Sequence, residues 1–253
     1  MKNIWTLFKY ETYRLIVSPS THVISLIFSL SLVAIFAFLL REYTVCEQDV
    51  PFAHMFFRYC WLSMCAAAAL ITMRSFSEEY RSGTFQSLFS APIAPIEAVL
   101  SKFFATYLLL ISLWLCTLPL LASVGIHVGS VFYDAAFAAP FNIVGGISFM
   151  ALSGLLFVAV GIFSSSLTEN QVIASMATFC ILVPFFINGH VLGNGSKISN
   201  FRLFDSFSEA INAFVQLDNF CSGVIDSRAV VFYVSSSVAV LCMSAVAVRR
   251  KLN

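Results

Sequence analysis

The sequence predicts an all-α integral membrane protein, and three observations carry that prediction. Hydrophobic residues make up 59% and charged residues 11% of the chain, where a soluble domain is about 25% charged. Mean hydropathy is +0.89. Apolar runs recur at lengths near the ~20 residues that a helix needs to cross a ~30 Å hydrocarbon core, and they are continuous rather than alternating, which favours helices over a barrel. The net charge of +1 argues against a nucleic-acid partner held by a basic surface.

Residues 1–18 precede the first apolar run. On a helical wheel Ile4, Trp5, Phe8, Thr12, Leu15 and Ile16 share one face, with Lys2, Lys9, Tyr13 and Arg14 opposite. That pattern predicts a helix lying in the membrane interface, with Trp5 at headgroup depth. It does not read as a cleavable signal peptide. Ser18 and Pro19 break it.

Six spans are expected within one transmembrane domain covering residues 1–253: about 23–40, 56–73, 96–126, 141–163, 172–192 and 229–248. The third is long enough to bend at Pro119. The fourth carries Gly145, Gly146, Gly154 and Gly161, and the fifth is interrupted by Pro184. The second and fifth, with the small residues Ala66 to Ala69 and with Pro184, are expected to line a dimer interface and substrate path. If the N-terminus is inside, the inner segments hold Lys2, Lys9, Arg14, Arg74, Arg81, Lys102, Arg249, Arg250 and Lys251. The outer segments hold Arg41, Arg58, Lys197, Arg202 and Arg228. The positive-inside rule therefore puts both termini in the cytoplasm, and with them the polar loop 74–95.

In that loop Glu78, Glu79 and Arg81 make a charged helical end that Gly83 breaks. Thr84 to Ser90 form one short helix with Phe85, Leu88 and Phe89 as its apolar side. Ala91 and Pro92 end it, and Pro95 at a first helical position, followed by Glu97, starts the third span. The other inner turn, Thr168, Glu169, Asn170 and Gln171, has capping-box spacing, so Thr168 is expected to begin the fifth span. The outer segment 193–228 predicts an amphipathic helix too short to span. Leu203, Phe204, Phe207, Ile211, Phe214 and Val215 lie on its apolar face, with Asp205, Ser208, Glu209, Asn212 and Gln216 opposite. It should lie in the outer interface or re-enter as a hairpin, with Gly223 and Asp226 following it.

Chemistry of several kinds is missing. No Gly-x4-Gly-Lys-Ser/Thr occurs, and Gly193 to Lys197 have its composition but not its order; HExxH and GxSxG are also absent. The chain is therefore expected not to be an enzyme and to bind no cofactor. Span interiors hold no acid or base except near their ends, which disfavours an ion-coupled carrier. His22, His54, His127 and His190 sit near span ends. They leave a non-transporting scaffold, or a haem- or lipid-handling subunit, as the alternative. Seven cysteines form no CxxC pair. Cys46 and Cys221 fall in outer loops, as a disulfide or, by preference, as two free thiols.

The stretch EEYRSGTFQSLFSAPI, residues 78–93, followed by Glu97 and Lys102, resembles the signature of ABC-2 type transporter permeases, with Gln86 standing where that family usually has glutamate. KYETYRLIVSPSTHV (9–23), GIFSSSLTENQVIAS (161–175) and NFCSGVIDSRAVVFYVSS (219–236) resemble its gliding-motility-associated branch. The resemblance implies a six-span exporter in the bacterial inner membrane. Two such subunits, identical or paired with a sister permease, would sit on two copies of a cytoplasmic ABC ATPase that binds ATP and Mg. An auxiliary component and membrane lipids would be further partners. The N-terminal helix and the Thr84 to Ser90 helix would seat the ATPase, with Glu78, Glu79 and Arg81 orienting the loop and Phe85, Leu88 and Phe89 docking into it. The outer segment would close the exit.

Overall fold

The computed structural model describes residues 2–45, 52–89, 94–116, 119, 140–193 and 212–252. All regular structure among them is helical: α1 Lys2–Val17, α2 Pro19–Val45, α3 Phe52–Thr72, α4 Ser77–Ser82, α5 Thr84–Phe89, α6 Pro95–Leu115, α7 Pro140–Leu167, α8 Gln171–Gly193, α9 Ala213–Cys221 and α10 Ser227–Leu252. Five stretches are long and apolar enough to cross a membrane: Pro19–Glu42, Phe52–Ser82, Pro95–Leu115, Asn142–Leu167 and Ser227–Leu252, with Gln171–Pro184 as a shorter apolar helix. The expected continuation of the third span to residue 126 lies outside the described residues.

Two prolines set the helix starts. Pro19 and Pro95 each occupy a first helical position, where the missing N–H has no partner to lose. Glu97 folds back so that its carboxylate accepts from the Ala94 N–H at 3.3 Å.

Helix α7 is the centre of the bundle, packing against α3, α6, α8, α9 and α10, while α2 leans on α3 and α1 on α6. Small residues make these approaches close. A Cβ at Gly161 would strike Thr72 of α3, and one at Gly145 would strike the backbone carbonyl of Phe220 in α9. The Ala66 to Ala69 run serves the same contact from α3: Ala67, Ala68 and Ala69 are buried within the chain. It therefore cannot line a dimer interface, because that face is already filled. Helix α8 does keep an exposed apolar face, at Val172, Ile173 and Met176. Hydroxyls add interhelical ties, Ser31 to Ser63 at 2.6 Å and Tyr107 to the Ala151 carbonyl at 3.0 Å.

The outer end is aromatic. Trp61 meets Phe157 and Phe214 at 5.4 Å each, Phe57 stacks on Trp114 at 5.5 Å, and Phe149 meets Phe220 at 5.6 Å. Helix α9 corrects the expected faces. Phe214, Gln216, Leu217 and Phe220 point inward, and Val215 is exposed. The reason is Asn212. Its side chain caps the helix by accepting from Phe214 N at 3.1 Å and Val215 N at 3.4 Å. A new helix starts there, so one wheel drawn through residues 203–216 does not hold across it. Phe204 and Phe207 lie outside the described residues.

Candidate functional site

Helix α3 ends at Thr72, and the chain makes a turn before α4. That turn is fastened by one side chain from α7. Ser165 Oγ accepts from Phe76 N at 3.0 Å and Ser77 N at 3.2 Å, and donates to the Met73 carbonyl at 3.2 Å. The Ser77 hydroxyl completes the knot at 3.1 Å from Ser165 Oγ. These are buried groups that would otherwise be left without partners, so the entry to α4 has one position.

Helix α4 then carries Glu79 into the bundle. Its Oε1 accepts from Lys102 Nζ at 2.5 Å and from Arg14 Nη1 at 3.1 Å. Lys102 also donates to Glu11 Oε1 at 2.7 Å, and Arg14 Nη2 lies 3.5 Å from Glu11 Oε2. Glu11, Glu79 and Lys102 are 2%, 6% and 1% exposed, respectively. Burial works against the Arg14 charge, but the Glu11, Glu79 and Glu78 carboxylates outweigh it and raise its pKa. Two acids and two bases cancel formally, which is the arrangement that burial of charge requires. The Lys102 ammonium lies 5.1 Å from the Phe76 ring centroid, adding a cation–π contact. Helices α1, α4 and α6 are thus bolted at one point.

Beside the bolt, Arg74 Nη2 donates to Glu78 Oε1 at 2.9 Å, and Nη1 donates to the Ser20 hydroxyl. Tyr80 lies 4.6 Å from Phe85, and Lys251 at the end of α10 lies 3.8 Å from the Tyr80 ring centroid. Gly83 ends α4 at φ +70° with nothing near its absent Cβ, so handedness rather than space requires glycine there.

The expected site residues divide on this frame. Glu79 faces the interior of the chain, and Phe85 is buried; Leu88 and Phe89 lie on α5, but their side chains lie outside the described residues. Arg81, Gly83, Thr84 and Gln86 form the exposed rim. The turn after α7 corrects the expected cap: α8 begins at Gln171. Asn170, not Thr168, caps it, with Asn170 Oδ1 accepting from Val172 N at 3.0 Å. The shorter amide reaches the first free N–H directly, while the Thr168 hydroxyl donates to the Asn170 carbonyl at 3.3 Å. Glu169 is exposed in that turn, and α8 touches α4. Gly223, at φ +81°, stops α9, and Asp226 caps α10 by accepting from Arg228 N at 2.9 Å.

A family model described as "ABC-2 family transporter protein" matches residues 18–185. The chain belongs to the ABC-2 transporter family. The match begins at the break before α2 and takes in both the bolted loop and the Asn170 turn. No curated protein matches the chain. Members of this family work with an ABC ATPase partner, and with its apolar helices the chain is a multi-pass membrane protein suited to the permease part.

Sequence reasoning missed Glu11 and Ser165. Glu11 carried a signal, a lone acid among the basic residues of α1. Ser165 carried none, being the second of three consecutive serines. Among the described residues no group of His, Cys, Asp and Glu could hold a metal ion; His54 pairs with Asp218 at 3.8 Å, and Cys221 is a buried free thiol. Its expected companion Cys46, like His127, lies outside the described residues.

Proposed function

We propose that the chain is the membrane-spanning subunit of an ABC exporter of the gliding-motility-associated branch. It takes its motive force from a separate ATPase that binds ATP and Mg, and it catalyses nothing itself. Two permease copies, or one with a sister, sit on two ATPases. Both termini are cytoplasmic in a bacterial inner membrane, and the outer segment with α9 closes the exit. The observation that carries the coupling role is the triple attachment of Glu79. A push on the exposed rim of α4 and α5 passes through Glu79 to α1 and α6 at once, which a loose loop could not do.

This division of labour changes the informative variant. Glu79→Lys would place a third cation among Arg14 and Lys102, so it reports on folding. Arg81→Glu at the exposed rim, and Gly83→Val at the left-handed stop, report on coupling. Each is expected to lower ATPase co-purification, or the ATPase rate of the assembled complex, about tenfold, a loss of ~1.4 kcal/mol. Membrane insertion is retained in both. Undiminished recruitment and ATPase rate in both variants would sink the proposal.

A further inference from the structure

A cleft of about 580 Å³ opens between α1, the start of α2 and the turn leading into α4. Its walls include Arg14, Arg74, Glu78, Glu79, Ser20 and Thr21, so both signs of charge face it in equal number. Two of its polar atoms are buried without a hydrogen-bond partner among the described residues: Arg74 Nε and Glu79 Oε2. The Arg74 terminal nitrogens are spent on Ser20 and Glu78, and both bases that reach Glu79 converge on its Oε1. What remains is one cationic donor and one anionic acceptor. Glu79 is itself 6% exposed, so bulk water does not satisfy it from outside.

We infer that this cleft binds the headgroup of a zwitterionic phospholipid bearing a primary ammonium, of the phosphatidylethanolamine type. The phosphate accepts from Arg74 Nε, beside the first turn of α2, where the free N–H groups and helix dipole also favour an anion. The ammonium donates to Glu79 Oε2. An anionic headgroup would leave Glu79 unanswered, and a choline headgroup has no N–H to give it. The rim decides for a lipid over a soluble zwitterion. Ile16 and Val17 of α1, and Val23, Leu26 and Ile27 of α2, are exposed apolar residues beside the cleft, on or next to a membrane-spanning helix. They provide a track for acyl chains attached to a headgroup held within. This site does not depend on the ATPase-coupling proposal.

The test is relipidation of the delipidated full-length chain with phosphatidylethanolamine, phosphatidylcholine or phosphatidylglycerol, counting retained lipid by native mass spectrometry. Phosphatidylethanolamine is expected to be retained about tenfold over the other two, the worth of one charged hydrogen bond. Arg74→Lys, which keeps the charge but removes Nε, should erase that preference. Equal retention of the three lipids would mean annular lipid and overturn the inference. So would a preference for phosphatidylglycerol, or displacement by soluble phosphoethanolamine at the same concentration. If Arg74→Lys does not fold, the headgroup comparison on the unaltered chain decides alone.

Discussion

The two ends of the bundle are held by different physics. At the α4 end, buried ion pairs and the Ser165 knot fix helices at single atoms. At the α9 end, aromatic rings and close glycine approaches hold the helices together, with His54 and Asp218 as a looser pair at 3.8 Å. Ionic and hydrogen-bonded ties are directional, and losing one partner leaves the other stranded. Ring packing is non-directional, and it tolerates small displacements at little cost. An end that receives force benefits from the first kind of joint, and an end that must open and close benefits from the second.

Three substitutions test the contrast. Lys102→Met strands the Glu11 and Glu79 carboxylates and is expected to cost about 3–5 kcal/mol, read as a lowered thermal midpoint in detergent. Adding Glu11→Gln should recover much of the loss, because Arg14 and Glu79 remain a matched pair. Ser165→Ala leaves Phe76 N and Ser77 N buried without an acceptor, for about 2 kcal/mol, with faster amide exchange confined to residues 76 and 77. Asn212→Ala removes the α9 cap at the other end and should cost about 1 kcal/mol, seen as a small midpoint shift and earlier proteolysis near residue 212. If the Asn212 change proved costlier than the Lys102 change, the contrast between the ends would collapse.

What the sequence made legible was local. Pro19 and Pro95 announce helix starts because a fixed φ and a missing N–H act within one residue. Gly83 announces a stop for the same kind of reason. Caps were legible only in kind. Thr168 and Asn170 both have the chemistry, and the choice turned on which group reached a free N–H. The inward role of Glu79 was illegible, since its partners Arg14 and Lys102 lie 65 and 23 residues away in sequence. An acid in a loop reads as solvated until the fold shows what faces it. Gln216 and Val215 exchanged faces because a cap at Asn212 reset the helical phase.

The Glu11–Lys102 pair also has a consequence in time. Its members are separated by 91 residues, so at ~5–20 residues per second of synthesis Glu11 waits roughly 5–18 s for its partner. Throughout that interval the carboxylate has one neighbour already made, Arg14, a helical turn away on the same segment. Arg14 acts as a temporary escort for Glu11 until α6 arrives, and only then is it drawn on to hold Glu79 as well.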